Sequence, residues 1–215
     1  MTNSQSLIEA LARHELSVPD AQREKLQQYC EQLWDWNSRF NITRHTDFEA
    51  FVSRDLNDSL QLAKHLKSGE SILDAGAGGG VPGVVLAILN SSLSVSLAES
   101  TQKKAMALQA IVSELNLSIA VFAERAEDVI GKHPVDTITA RAVAPLKKLL
   151  PWFQPQRRHV KRLLLVKGRS WQTECDDAEE AGLLRRVELN VLSEYTTPGR
   201  DGKDVIAEVR FAPGA

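Results

Sequence analysis

Residues 71–83, with the sequence SILDAGAGGGVPG, decide the fold of this 215-residue chain. The segment from Ser71 to Asp74 is short, apolar and ends in an acid, which predicts a buried strand. The glycine loop that follows ends at Pro82, and proline is favoured in the first turn of a helix, where its missing N–H costs nothing. Strand, glycine loop and helix in this order predict the first unit of a parallel sheet. Ligands bind such sheets at the carboxyl ends of the strands, where this loop lies.

The segments after the loop alternate between helix and strand patterns. Residues 82–89 and 108–115 have apolar residues at helical spacing. This alternation predicts a doubly wound, Rossmann-like α/β sheet. The last two strands, 187–192 and 205–211, are joined by turn-forming residues without a helix, so we expect an antiparallel closing pair. The strands between are predicted at residues 95–99, 119–123, 135–140 and 163–167.

Residues 1–70 have the spacing of helices rather than strands. One helix is predicted after Pro19 with Asp20 as its N-cap, and a second over residues 55–66. The polar residues 41–44 separate them. We therefore predict an N-terminal helical extension, 1–66, and a Rossmann-like domain, 67–215, that together form one compact unit.

The composition excludes several classes of protein. A net charge of −2 is not that of a protein that coats nucleic acid through charge alone. Without an apolar run of eighteen residues or a secretory signal, we expect neither a membrane span nor export. Cys30 and Cys175 form no metal-spaced cluster, so we expect reduced thiols in a cytoplasmic protein and no metal site. Local basic pairs are compatible with RNA binding, although each alone is more typical of a solvated surface. The basic pairs are Lys103 with Lys104, Lys147 with Lys148, Arg157 and Arg158 with Lys161 and Arg162, and Arg185 with Arg186.

Two kinds of ligand compete for the glycine loop. Gly78, Gly80 and Gly83 satisfy the dinucleotide fingerprint, which by itself is a weak signal. The longer pattern begins at Asp74 and includes Gly76. Its acid would repel a pyrophosphate, so it favours a cofactor that carries ammonium and sulfonium charge.

A second acid, Glu99, is predicted at the end of the second strand. A carboxylate there can accept hydrogen bonds from both hydroxyls of a ribose. Taken alone, Glu99 is equally compatible with a surface glutamate beside a tight strand-to-helix turn.

Seven short segments along the chain recur together in one family. They are Asn41-Ile42-Thr43, Arg54 with Asp58-Ser59-Leu60, Gly76 to Gly83, Glu99-Ser100 with Lys103-Lys104, Arg125-Ala126-Glu127, Thr139-Ala140-Arg141-Ala142, and Lys167-Gly168. With these segments the chain resembles the RsmG/GidB family of class I methyltransferases. It departs from the family pattern at Asp55, where histidine is usual, at Val81, where a bulkier apolar residue is usual, and at 91–93, which lacks a frequent proline.

The resemblance implies a function and a set of site residues. The family transfers a methyl group from S-adenosylmethionine to N7 of a guanine in small-subunit ribosomal RNA, and the acceptor is the RNA or the assembling 30S particle. We expect a cytoplasmic monomer. The residues implied in cofactor binding are Asp74, Gly76, Gly78, Val81, Glu99, Ala126 and Glu127 (the last two at the adenine), and Arg141. Those implied in positioning the acceptor are Arg141, Lys167 and Asn41.

The end of the fourth strand favours N7 over an exocyclic amine as the acceptor. Enzymes that methylate exocyclic amines resemble one another in an Asn- or Asp-Pro-Pro-aromatic motif there, whereas this chain has Ala140-Arg141-Ala142. Guanine N7 has a free lone pair and no proton, so its methylation needs no general base, and we interpret the five histidines as surface or packing residues. We expect Arg141 to bind an RNA phosphate or the cofactor carboxylate, or to form a salt bridge to a nearby acid such as Glu127.

Two other functions are compatible with parts of the sequence. An NAD(P)-dependent oxidoreductase would use Gly78, Gly80 and Gly83, but no hydride-handling histidine or tyrosine–lysine pair is evident. A non-catalytic RNA-binding module with a relic cofactor loop is disfavoured by the intact glycines and by Asp74 and Glu99.

Overall fold

A computed structural model describes residues 6–198 and 201–212, and the strands within them form one seven-stranded sheet. The strand order is β3-β2-β1-β4-β5-β7-β6. Strands β1 to β5 are parallel, whereas β7 is antiparallel to both β5 and β6. The doubly wound sheet and its antiparallel closing pair are confirmed. The strands are β1 (Ser71–Ala75), β2 (Ser94–Ala98), β3 (Ala120–Phe122), β4 (Val135–Arg141), β5 (Val160–Lys167), β6 (Val187–Tyr195) and β7 (Asp204–Phe211).

Helices pack on both faces of this sheet. Alternate side chains of β5 contribute to the two faces: Leu163 lies in one hydrophobic cluster and Leu164 in the other. The helices are α1 (Leu7–Arg13), α2 (Asp20–Phe40), α3 (Phe48–Ala50), a π-helical turn (Phe51–Leu56), α4 (Asn57–Ala63), α5 (Gly83–Leu89), α6 (Gln102–Glu114), α7 (Ala126–Ile130), α8 (Leu146–Phe153), a 3₁₀ turn (Gln154–Gln156) and α9 (Trp171–Glu180).

The N-terminal helices share a core with the sheet. Leu26 and Leu33 of α2 are buried in the same cluster as Val84 of α5 and Leu108 of α6. Helix α2 contacts both α5 and α6. The division of the chain at residue 66 stays a prediction, but the packing shows that residues before it help to position the first strand–helix unit.

Three predicted helix boundaries are wrong: the N-cap at Asp20 and both ends of the helix predicted over residues 55–66. Asp20 is the first residue of α2 and not its N-cap, because Pro19 holds the extended backbone (φ −55°, ψ 148°) that precedes the helix. The second helical segment begins before residue 55, because the Asp47 carboxylate caps it by accepting a hydrogen bond from the Ala50 N–H at 2.7 Å. It then passes through the π-helical turn and ends at Ala63.

Several strand boundaries also differ from the prediction: β5 begins at Val160, three residues early, and β3 is shorter by one residue at each end. Two further differences bear on the site. β2 ends at Ala98, so Glu99 lies in the loop that follows. β6 extends to Tyr195, three residues past its predicted end, after a bulge between Val191 and Ser193. Of the predicted turn after it, residues 199 and 200 lie outside the described residues.

The sheet reverses its order at β1. β2 and β3 lie on one side of β1, and β4 and β5 lie on the other. Chains that leave neighbouring strands in opposite directions open a crevice at the carboxyl ends of those strands. The glycine loop after β1 therefore lies beside the loop that leaves β4.

Candidate functional site

The glycine loop has a backbone that side chains would obstruct. Gly76, Gly78 and Gly80 have φ values of 65°, 55° and 102°, in the region that favours glycine. A Cβ on Gly83 would lie 2.3 Å from Leu97 Cδ2, so only glycine allows α5 to start this close to β2. Gly76 is exposed, and its backbone faces the crevice.

Asp74 lies beneath the loop. One carboxylate oxygen accepts a hydrogen bond from the Gly83 N–H at 2.9 Å, and the other accepts one from Thr139 Oγ1 at 2.9 Å. Burial raises the pKa of this carboxyl to about 7, although the two hydrogen bonds act in the opposite direction. The contacts that the structure shows for Asp74 thus join β1 to α5 and β4, and its contact with a cofactor stays a prediction.

Glu99 holds the loop from the other side. Its carboxylate accepts hydrogen bonds from the Gly78 N–H at 3.0 Å and from the Thr101 N–H at 2.7 Å. Glu99 is buried, so the alternative of a surface glutamate is wrong. The carboxylate connects the glycine loop to the chain that leaves β2.

Helix α2 also contacts the glycine loop. The buried Tyr29 hydroxyl donates a hydrogen bond to the Gly79 carbonyl at 2.7 Å. A Cβ on Gly79 would lie 3.3 Å from Leu33 Cδ1 and 3.7 Å from Ile42 Cγ2. Tyr29 is not among the predicted site residues, because its position in the apolar stripe of α2 predicts only a core residue.

A cavity of about 180 Å³ opens beside Gly76. Its acids, Glu124 and Glu127, are paired with Lys132 and Arg125, and the Arg125 guanidinium stacks on the Trp152 ring at 5.1 Å. Of the predicted cofactor residues, Gly76, Ala126 and Glu127 line this cavity. The lining residues are Ala75, Gly76, Ala98, Ser100, Glu124, Arg125, Ala126, Glu127, Val143 and Trp152.

The other predicted residues of the cofactor set have different positions. Gly78 donates to Glu99, and Val81 is half-buried against the hydrophobic cluster that contains α5. Asn41 ends α2 in a left-handed conformation with φ 52°, and its side chain is exposed. Asn41 lines neither this cavity nor the second one, which lies at the carboxyl ends of β4 and β5.

A second cavity, of about 390 Å³, lies at the carboxyl ends of β4 and β5. We call it the acceptor cleft. Val143 lines both cavities, and a Cβ on Gly76 would lie 3.0 Å from its Cγ2 atom, so this side chain separates them. The cleft is lined by Asp58, Arg141, Ala142, Val143, Ala144, Pro145, Val166, Lys167, Gly168, Ser170, Glu174 and Asp204.

Both predicted cations line the acceptor cleft, and both are paired. Lys167 Nζ donates to Glu174 Oε2 at 2.7 Å and to the Ala144 carbonyl at 2.8 Å. The expected pair between Arg141 and Glu127 is wrong, because Glu127 lies across the other cavity and pairs with Arg125.

Arg141 instead pairs with two carboxylates from the N-terminal part of the chain. One terminal nitrogen donates to Asp58 Oδ2 at 3.0 Å and the other donates to Asp55. Burial alone would raise the pKa of Asp55, but the hydrogen bond from His45 and the Arg141 charge outweigh it and hold the pKa below its usual value. Burial dominates at Asp58 and raises its pKa. The pKa values of the two acids that contact this guanidinium are therefore shifted in opposite directions.

Each acid has a further partner away from the cleft. His45 Nδ1 is hydrogen-bonded to Asp55 Oδ2 at 2.9 Å, and the Tyr195 hydroxyl donates to Asp58 Oδ1 at 2.8 Å. The interpretation of His45 as a plain surface or packing residue is therefore wrong. The sequence signal for this network was Asp55 itself, the departure from the family pattern, but nothing in the sequence pointed to Tyr195.

Two negative observations concern the described residues, 6–198 and 201–212. They contain no group of three or more His, Cys, Asp or Glu side chains arranged to hold a metal ion. None of their helices has the length and the apolar character that crossing a membrane requires.

Comparison with known proteins gives one consistent family. The model of the family "rRNA small subunit methyltransferase G" matches residues 22–201. A ribosomal RNA small subunit methyltransferase G of Rhodopirellula baltica is 43% identical over 186 residues, which cover 86% of this chain and 80% of that protein. The protein of the same name from Gluconobacter oxydans is 37% identical over 82% of this chain and 89% of that protein.

Solved structures with low sequence identity share the fold. An O-methyltransferase from Bacillus cereus in complex with SAH superposes with a TM-score of 0.61 at 18% identity, over 98% of this chain and all of that chain. A mutant of MtNAS in complex with S-adenosylmethionine has a TM-score of 0.58 at 13% identity, over 99% of this chain and 86% of that chain. Both show that the α/β fold of this chain also occurs in these proteins.

Proposed function

The chain belongs to the rRNA small subunit methyltransferase G family, and on this premise we propose that it transfers a methyl group from S-adenosylmethionine to N7 of a guanine in small-subunit ribosomal RNA. The observation that carries the proposal is the pair of adjoining cavities at the switch point of the sheet. One cavity is bordered by the exposed backbone of Gly76, and the other contains Arg141 and Lys167. A two-substrate transfer needs such an arrangement, because the donor and the acceptor must meet at one point.

The residues of the first cavity fit the cofactor. A Cβ on Gly76 would lie 3.0 Å from Val143 Cγ2, in space that only glycine leaves open to a ligand. The carboxylates of Glu124 and Glu127 can accept hydrogen bonds from a ligand. Both are already paired with cations, so membership of the family, and not the charge of this cavity, disfavours the oxidoreductase alternative. We propose that Gly76, Ala126 and Glu127 contact the cofactor directly. Asp74, Gly78, Val81 and Glu99 hold the loop in its shape.

The chain's own contribution to the reaction is to orient the methyl donor and the acceptor. When bound, S-adenosylmethionine supplies an activated methyl group on a sulfonium. Proximity and orientation can contribute roughly 7–11 kcal/mol to such a transfer. Val143 stands between the two cavities, and Arg141 and Lys167 line the acceptor side, so these residues set where an acceptor atom can lie.

The carboxylates of the acceptor cleft agree with an acceptor atom whose methylation needs no general base. Its carboxylates already accept hydrogen bonds: Asp58 from Arg141 and Tyr195, Glu174 from Lys167, and Asp204 from Thr197. Each of these carboxylates is therefore held by other side chains of the protein and is not presented to the acceptor as a free base. Guanine N7 presents a lone pair without a proton, and this agrees with the cleft better than an exocyclic amine does.

Cations beside the two cavities support RNA as the acceptor. Lys103 and Lys104 lie in the first turn of α6, just after β2, and the exposed Lys147 and Lys148 lie in the first turn of α8, just after β4. At the opposite edge of the sheet, Lys161 pairs with Asp136, and Arg162 pairs with Glu70 and Glu208. Phosphates would therefore be attracted to the edge that carries the site.

Two measurements test the proposed function. Mass spectrometry of ribosomal RNA nucleosides, from cells with and without the chain, is expected to show 7-methylguanosine in small-subunit RNA only when the chain is present. An unchanged level, or N1- or N2-methylguanosine in its place, would contradict the acceptor. Thermal unfolding is expected to shift upward with S-adenosylhomocysteine and not with NAD. A shift with NAD alone would favour the oxidoreductase, and binding without any methyl transfer to the RNA would favour the non-catalytic module.

The remaining features of the proposal concern location and assembly. Because the acceptor is ribosomal RNA, we place the reaction in the cytoplasm, with the RNA or the assembling 30S particle as the partner. We propose that the chain acts as a monomer without a bound metal. Sedimentation of the protein alone, and activity in the presence of a chelator, test these two points.

A further inference from the structure

Arg141 is held from two sides by four residues. Its two terminal nitrogens donate to Asp55 and Asp58, and the outer oxygens of these acids bond to His45 and Tyr195. A guanidinium is planar, so two carboxylates that each engage a different terminal nitrogen define the orientation of that plane. The direction in which Arg141 faces the acceptor cleft is therefore set by the positions of Asp55 and Asp58.

The two acids are themselves placed by an unusual helical turn. Asp55 belongs to the π-helical turn, and Asp58 lies in the first turn of α4. Residues three apart on a helix project from the same side, so both carboxylates face the end of β4. π-Helical turns often occur at functional sites. A carboxylate with only one partner can still rotate, so the outer hydrogen bond decides whether each acid is fixed.

Tyr195 reaches Asp58 from the other end of the sequence. It is the last residue of β6, the edge strand that joins the sheet only through β7. Its ring packs against the hydrophobic cluster that contains α4 and α5, while its hydroxyl donates to Asp58 Oδ1 at 2.8 Å. Burial and the adjacent Asp58 charge raise the pKa of Tyr195, so the hydroxyl remains a neutral donor across the physiological range.

We propose that Tyr195 is a positioning residue of the methyl-transfer reaction: its hydroxyl fixes Asp58, and Asp58 with Asp55 orients the Arg141 guanidinium in the acceptor cleft. The kinetic consequence rests on the proposed function, whereas the contact with Arg141 does not. Tyr195 itself need not touch the cofactor or the RNA. It lies on β6, outside the parallel part of the sheet, and it acts through the side chains of Asp58 and Arg141.

The variant Tyr195→Phe removes only the hydroxyl and keeps the packed ring. A hydrogen bond to a charged group is lost, and we expect a fall of about 10-fold in kcat for methyl transfer to small-subunit ribosomal RNA. The KM for RNA should change little, because many phosphate contacts contribute to it. The control is Ser193→Ala, which removes a hydroxyl from the same strand. Ser193 bonds to His65 at 3.0 Å and lies outside the Arg141 network, so this variant should match the wild type.

A double-mutant cycle separates positioning from a structural role. If Tyr195 acts through Arg141, then Tyr195→Phe should cause no further loss in an Arg141→Lys background. The same result is expected in an Asp58→Asn background. Losses that multiply in the double variants, or an equal loss in Ser193→Ala, would overturn the proposal. Thermal unfolding of each variant verifies that the protein is folded at the assay temperature.

A second readout does not depend on activity. The ¹H–¹⁵N signal of the Arg141 side chain, assigned by its disappearance in Arg141→Lys, should be sharp in the wild type. It should broaden or shift in Tyr195→Phe and stay unchanged in Ser193→Ala. An unchanged signal in Tyr195→Phe would overturn the inference even if the enzyme methylates ribosomal RNA. Conversely, a wild type without methyl transfer refutes the proposed function and with it the kinetic role of Tyr195, while the Arg141 signal still shows whether the contact exists.

Discussion

Replacing Gly76 with alanine is expected to weaken cofactor binding far more than it destabilises the fold. Gly76 has φ +65°, and an alanine in this left-handed region costs roughly 1–2 kcal/mol. Its Cβ would lie 3.0 Å from Val143 Cγ2 and 3.2 Å from Cγ1. Moving the Val143 side chain away from its rotamer adds about 0.5–1.5 kcal/mol.

Gly69 is the matched control for this variant. It has φ +77°, and a Cβ there would meet nothing within 4 Å. Gly69→Ala therefore carries the left-handed strain alone, about 1–2 kcal/mol. In a protein of this size each kcal/mol lowers the Tm by roughly 2–4 °C. We expect both variants to fold, with Gly76→Ala unfolding a few degrees below Gly69→Ala.

Calorimetric titration with S-adenosylhomocysteine measures the predicted loss of cofactor affinity. Gly76→Ala places a methyl group between the ligand and the loop backbone, so the Kd should rise at least about 10-fold, which corresponds to roughly 1.4 kcal/mol. Gly69→Ala should bind like the wild type. If the two variants bind S-adenosylhomocysteine equally well, the cavity beside Gly76 is not the cofactor site.

Three further predictions address charge and pH. The pKa of Asp74 is raised to about 7, so the folded state keeps a proton that the unfolded chain releases near pH 4. The free energy of unfolding should therefore be highest at low pH and should fall by several kcal/mol as the pH rises from about 4 through about 7. Asp74→Asn should flatten this decline in urea unfolding from pH 4 to pH 8, and an identical slope in both proteins would contradict the assignment. Lys167→Met leaves the half-buried Glu174 without its cation and should cost about 1–3 kcal/mol, whereas the double variant Lys167→Met with Glu174→Gln should recover much of the stability but not the methyl transfer; recovery of both would make Lys167 purely structural. Single-turnover methyl transfer with saturating cofactor and RNA should be flat from pH 5 to pH 7, because guanine N7 stays unprotonated, and a rise that disappears on replacing one histidine or carboxylate would identify a general base.

The order of elements was predictable from local patterns. The segment 71–83 identified β1, the glycine loop and the start of α5, because apolar runs, glycines and proline act through the backbone within a few residues. The antiparallel closing pair followed from the missing helix between the last two strands. The positions of Gly76, Ala126 and Glu127 at one cavity also agree with the prediction, since the carboxyl ends of parallel strands meet at one edge.

The partners of the charged side chains were not predictable in this way. A salt bridge from Arg141 to a nearby acid was one of the alternatives, with Glu127 as the example, but the acids that it pairs with are Asp55 and Asp58. Glu127 instead found a cation two residues away, in Arg125. Which ion pairs form depends on which loops meet at the edge of the sheet, and no local sequence pattern encodes the distance between side chains of different loops.

What the sequence alone determined, then, is the parallel sheet, its switch point and the loop that leaves β1, because these depend on backbone propensities and on hydrophobic periodicity. Only the tertiary structure decided what holds the site together. Asp74 lies in the strand that leads into the glycine loop, but Glu99 reaches that loop from the chain after β2. Tyr29, Asp58 and Tyr195 reach the site from helices and an edge strand far away in sequence. Their roles arise when the core packs α2, α4 and β6 around the carboxyl ends of β1 and β4, and buried polar groups must then find partners wherever that packing places them.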